Sequence, residues 1–139
     1  MPTPSNLLDR LPNPPRCFTF LGLQIDQADP GRGYCRLTTD AAEKFCNPAG
    51  VIQGGILAAM LDDAMAIAAV VAHDFKKVVP TLDMKLNYLK PVFPEALVVE
   101  GEVVKTGRNI VFMSGRLYDP RGALCVIASA TAQLKAIGG

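Results

Sequence analysis

From Ile56 to Ala72 the chain is built of Ala, Leu, Ile, Val and Met, with Asp62 and Asp63 as the only interruptions. A segment apolar on every face predicts a helix buried in a core or in a membrane. As a membrane span it would hold both carboxylates near the bilayer centre, at roughly 2.5–3.5 kcal/mol each. The pattern therefore predicts the central helix of a soluble core. Aspartate is rarely fully buried unless paired, coordinated or functional, and no Lys, Arg or His lies within a turn of this pair.

On both sides of the helix the pattern changes to strands. Cys17–Gln24 and Tyr34–Thr39 read as strands joined by the turn-rich Asp29–Gly33, a predicted hairpin. Asp40–Phe45 reads as a brief helical or irregular link, and Asn47-Pro48-Ala49-Gly50 as a turn into the helix. His73, Lys76 and Lys77 follow the helix, where positive charge favours a C-terminus. Thr81–Tyr88 then alternates Leu82, Met84, Leu86 and Tyr88 with Asp83, Lys85 and Asn87, the period of a half-exposed strand, and Pro91 and Pro94 end it. Three further strands, Ala96–Lys105, Ile110–Tyr118 and Leu124–Leu134, are linked by the turns Thr106–Asn109 and Asp119–Gly122. Such short links predict an antiparallel meander.

Two strands, one apolar helix and three or four strands make an α+β domain, in which a curved antiparallel sheet must wrap the helix; a generic α+β sandwich fits the same order. Residues 1–16 carry five of the eleven prolines around Leu7, Leu8 and Leu11. They read as an N-terminal extension with a short helix, capped by Ser5 or Asn6 and ended by Pro12, leaving 17–139 as the domain.

Composition narrows the partners. The 139 residues are half hydrophobic, carry a net charge of +1 with scattered basic residues, and include no Trp, so neither nucleic acid nor an anionic membrane surface is expected. Cys17, Cys35, Cys46 and Cys125 show no metal spacing and His73 is the single histidine, so no metal site is expected. The proline-rich start lacks the apolar segment of a secretory signal, and a cytoplasmic location is expected.

Gly54-Gly55 stands at the predicted helix N-terminus, where free N–H groups and the dipole favour negative charge and can hold an oxyanion. Taken alone, the pair is better explained by glycines that simply permit a tight loop-to-helix turn or close packing. Asp62 lies eight residues further on, about 12 Å along the axis. That distance is too great for both to act on one carbonyl carbon, so a site using both would need two helices related by a two-fold axis.

The stretch NPAGVIQGGILAAMLDDA resembles the signature of hotdog-fold acyl-CoA thioesterases of the phenylacetate-pathway (PaaI-like) type. That signature has an Asn, a Gly-containing spacer, His-Gly-Gly and, nine residues after the His, an Asp in an Asp-x-Ala setting. Asn47, Gly50, Gly54, Gly55, Asp62 and Ala64 occupy those places, and the strand pattern extends the likeness to about Ala132. The departure is Gln53, which stands for the His and donates a hydrogen bond but cannot carry a proton.

The resemblance implies a hotdog fold and hydrolysis of an aromatic or medium-chain acyl-CoA, with coenzyme A as part of the substrate and no other cofactor. It further implies an oxyanion held by Gly54 with Gln53 assisting and Gly55 beside the substrate, Asp62 of a partner subunit as base or nucleophile, and Thr81 orienting the Asp or water. Asn47 would contact the thioester or make a local turn. Lys90 and Arg108 would meet the CoA phosphates. Asp63, about 100° further around the helix, reads from that geometry as a structural hydrogen-bonder. A homodimer assembling to a homotetramer, as a dimer of dimers, is implied as well. The alternative is a hotdog protein that binds acyl-CoA or a related small ligand without turnover.

Overall fold

The computed structural model describes residues 4–11, 13 and 15–137. A 3-10 helix, Pro4–Arg10, and a short helix α1, Arg16–Phe20, precede the hairpin β1 (Gln24–Asp29) and β2 (Tyr34–Asp40). The long helix α2 spans Gly54–Ala72, and after a two-residue strand β3 (Lys77–Val78) come β4 (Thr81–Tyr88), β5 (Ala96–Thr106), β6 (Ile110–Tyr118), β7 (Leu124–Gln133) and β8 (Lys135–Ala136). Six antiparallel strands form one sheet in the order β1-β2-β5-β6-β7-β4, and β3 pairs with β8. The architecture is the hotdog arrangement, a curved sheet around one central helix.

Helix α2 lies against the concave face of this sheet. A Cβ on Gly101 of β5 would overlap the backbone of Ala64, and one on Gly115 of β6 would meet Leu61 Cδ2 at 3.0 Å. The Cys35 thiol of β2 donates to the Ala64 carbonyl at 3.1 Å. The inward positions of β7 next to the helix are the small Ala128, Ala130 and Ala132. Glycine and alanine thus let the helix backbone approach the strands, while Leu61, Met60 and Met65 fill the space at its flanks with no exposed surface.

Three features differ from the sequence expectations or go beyond them. The predicted strand Cys17–Gln24 is α1 followed by the start of β1. Gly22, at φ +71°, supplies the left-handed residue of a Schellman stop, with Gly22 N–H bonding Thr19 O and Leu23 N–H bonding Phe18 O. A run this short carries no period able to separate helix from strand. The meander holds for β5, β6 and β7, but β4 crosses to the far side of β7 and ends the sheet with one edge unpaired. Finally, the sheet covers α2 on one side only. Eight of its residues are buried and the rest are half-buried or exposed, with Leu8, Leu11 and Phe18 reaching over the outer face beside Asp63.

The far end of α2 is closed by a second Schellman stop, with Asp74 N–H bonding Val71 O and Phe75 N–H bonding Val70 O. Here Asp74 and Phe75 take the left-handed conformation at φ 52° and 60°. Arg10 from the N-terminal extension bonds the Asp74 carbonyl and carboxylate and lies 4.4 Å over the Phe75 ring. His73 spends its Nδ1 on Ala69 O at 2.8 Å, so it caps the helix, and the expected lysines lie beyond it, Lys77 in β3.

Candidate active site

At the N-terminus of α2 the N-cap is Gln53, in extended conformation. Its own N–H bonds Phe45 O, and its carbonyl accepts from Ile56 and Leu57. Its exposed side chain caps nothing, so the amide is free to meet a ligand. Among the described residues no acceptor faces the N–H of Gly54 or Gly55, as is usual in a first helical turn.

The two glycines differ in their surroundings. A Cβ on Gly54 would meet the Tyr88 ring at 3.1 Å, whereas one on Gly55 would meet nothing within 4 Å. Tyr88, the last residue of β4, also donates its hydroxyl to the Gly54 carbonyl at 2.7 Å. In the sequence Tyr88 is one alternating strand position among several; the signal for its contact is an aromatic residue at a strand end just before Pro91.

Two turns along the helix, Asp62 Oδ1 accepts a 2.7 Å bond from the Thr81 hydroxyl at the start of β4. The edge strand therefore touches α2 at both ends of the candidate site, Thr81 at the carboxylate and Tyr88 at the glycines. Asp63 faces elsewhere and is not the hydrogen-bonder expected. Its Oδ2 is buried without a partner among the described residues, at an apolar cavity of about 170 Å³ lined by Leu8, Leu11, Phe18, Ile67 and Phe75. Loss of water around it, with the charge of Asp62 second, pushes its pKa up to about 6. The reason is local: the described residues of the extension that cover this face, Leu8 and Leu11, bring apolar side chains.

Asn47 uses its side-chain oxygen on the N–H groups of Ala49 and Val51, at 2.9 and 3.4 Å, so that group shapes the turn into the helix. Lys90 is bound to the buried Asp119 at 3.2 Å and does not stand free for a phosphate. The Ala123 N–H, foremost, holds the Asp119 pKa down at about 2, and Arg121 bridges Asp119 to Glu95. Arg108 is exposed in the β5–β6 turn, at the opposite end of β6 from Asp119. Within one chain Lys90 and Arg108 are thus not brought together.

A family model described as the thioesterase superfamily matches residues 49–126, which include both glycines, the Asp62–Thr81 pair and Tyr88. A protein of Saccharolobus solfataricus named as an esterase is 30% identical over 114 residues, 82% of this chain and 74% of that protein. The 1,4-dihydroxy-2-naphthoyl-CoA thioesterase 2 of Arabidopsis thaliana is 30% identical over 102 residues, 71% of this chain and 62% of its own length. Among solved structures, a phenylacetic acid degradation-related protein of Ralstonia eutropha superposes with a TM-score of 0.84 at 30% identity, covering 93% of this chain and 97% of its own.

Proposed function

This chain belongs to the thioesterase superfamily and is a thioester hydrolase, and from that premise we propose that it cleaves aromatic or medium-chain acyl-CoA to the free acid and CoA. The observation that carries the reading is the Asp62–Thr81 bond, two helical turns from the unpaired N–H groups of Gly54 and Gly55. One end offers a carboxylate held by a hydroxyl. The other offers donors aimed at a developing oxyanion.

In the proposed reaction the thioester carbonyl oxygen sits on the Gly54 N–H with the Gln53 amide beside it. With Asp62 as base, the carboxylate takes a proton from water as the water oxygen bonds to the carbonyl carbon. The tetrahedral adduct then breaks its C–S bond, and the CoA thiolate recovers the proton. With Asp62 as nucleophile, the carboxylate bonds to that carbon, expels the thiolate and leaves a mixed anhydride for water to open. Both routes use water as second substrate and need no cofactor beyond the CoA of the thioester.

Because Gly54 and Asp62 of one helix are about 12 Å apart along its axis, the proposed site joins Asp62 of one subunit to Gly54 of its partner. The unpaired edge of β4 supports such a dimer, as do its exposed Leu82 and Tyr88. A dimer of dimers is the assembly we propose. Four free cysteines suit the reducing cytoplasm, where we place the reaction.

The test is thiol release across a panel of acyl-CoA esters. Asp62→Asn is expected to lose about 100-fold or more in kcat, and Gln53→His, which restores the family's residue, to raise it. No turnover of any ester by the wild type, or full activity in Asp62→Asn, would overturn the reading.

A further inference from the structure

The proposed reaction gives Tyr88 no role, seats the carbonyl oxygen on the Gly54 N–H and leaves the orientation of the Gly55 N–H unassigned, and the geometry ties Tyr88 and Gly55 together. Tyr88 is the end of the edge strand and half exposed, yet its hydroxyl is placed on the Gly54 carbonyl at 2.7 Å and its ring fills the space a Cβ on Gly54 would need. That carbonyl belongs to the same planar peptide as the Gly55 N–H. A hydrogen bond accepted on the oxygen fixes the plane and polarises the N–H opposite.

Gly55 has no explanation inside the chain. Its φ is ordinary and a Cβ there meets nothing within 4 Å, although glycine is a poor helix residue. Open space over an unpaired N–H suits the close approach of an outside group. Gly54 shares the unpaired N–H but not the open space, and its missing side chain is accounted for by the Tyr88 ring. The two glycines therefore answer to different neighbours.

Resting on the thioesterase reading above, we propose that Tyr88 is a positioning residue for the carbonyl-binding end of the site. It locks the Gly54–Gly55 peptide so that the Gly55 N–H joins the Gly54 N–H as a second donor to the thioester oxyanion. The edge strand then serves both halves of the chemistry, Thr81 holding the carboxylate and Tyr88 the oxyanion donors.

Two variants test this, with Asp62→Asn as control. Tyr88→Phe keeps the ring and removes the hydroxyl. Its kcat is expected to fall about 10-fold with KM within about twofold and an unchanged melting temperature, because the lost interaction strengthens only as charge develops. Gly55→Ala keeps the N–H, suits the helix and fills the open space. It is expected to melt no lower than the wild type and to lose about 10-fold or more in kcat/KM. Wild-type kcat in Tyr88→Phe, or loss only in step with a lower melting temperature, would overturn the positioning role, as would full activity in Gly55→Ala. If those results come with an active wild type and a dead Asp62→Asn, the thioesterase reading stands without this inference. An inactive wild type removes both.

Discussion

Asp62 and Asp63 are neighbours of one chemical type with opposite surroundings. Asp62 accepts from Thr81, whereas Asp63 places Oδ2 against apolar side chains with no donor among the described residues. The pKa of Asp63, raised from 3.8 to about 6 chiefly by burial, makes it a charge the fold resists. Below the unfolded value both states hold the proton and no penalty exists. As pH rises from there towards about 6 the unfolded chain releases its proton first, stability falls, and above that range the penalty is constant. Asp63→Asn removes the titration. Its stability relative to the wild type, by denaturant melts, is expected to improve by about 1–2 kcal/mol between about pH 4 and about pH 7.5, after allowance for partial exposure. A difference that stays flat with pH would mean that the carboxylate finds a partner in solution. The nine-residue spacing from Gln53 singled out Asp62 in the sequence. The isolation of Asp63 was not legible there, because it depends on which face the N-terminal extension covers. For the same reason Tyr88 passed as one alternating position among several: its contact spans 34 residues of chain.

Among the elements, the strands with strict alternation or firm turns were readable nearly to the residue. β4 and β6 have the bounds the pattern predicts, and β5 and β7 differ by a single residue at one end. α1 failed because five residues set no period. The place of β4 at the sheet edge was not legible, because strand order is decided by packing on α2 rather than by local sequence. Gly101 shows that packing most sharply, since the helix backbone at Ala64 occupies the place of its missing side chain. Neither neighbour can yield as a flexible side chain would. Gly101→Ala is therefore expected to cost about 3 kcal/mol or more, above the usual range for overpacking, read as a lower denaturant midpoint with unchanged m-value. The same substitution at Gly122, where a Cβ meets nothing but φ is +82°, costs only the backbone conformation, about 1–2 kcal/mol. A smaller loss at Gly101 than at Gly122 would mean that α2 does not lie so close to β5.

At the scale of the molecule, the unpaired edge of β4 and the exposed Leu82, Tyr88, Leu89 and Phe93 form a surface that a monomer would leave open to other strands. The proposed dimer closes it and brings Asp62 of one chain to Gly54 of the other. This arrangement has a consequence that no single-chain site shares. Asp62→Asn disables one half of each site, and Gly54→Pro the other, by removing the N–H at the first helical position. Proline is tolerated there, and the extended Gln53 at ψ 136° is the conformation that precedes proline. The Tyr88 ring must give by a few tenths of an ångström, which further disturbs that half-site. Each variant alone is expected to be inactive. Mixed and reassembled in equal amounts, about half of the dimers carry one chain of each kind, and in each of these one site combines an intact Asp62 with an intact Gly54 while the other carries both lesions. Activity should recover to about a quarter of the wild-type value. No recovery, with subunit exchange verified by mass, would place both groups of a site in one chain and remove the dimer from the mechanism. Light scattering of the wild type gives the first check, since a strict monomer is incompatible with a shared site.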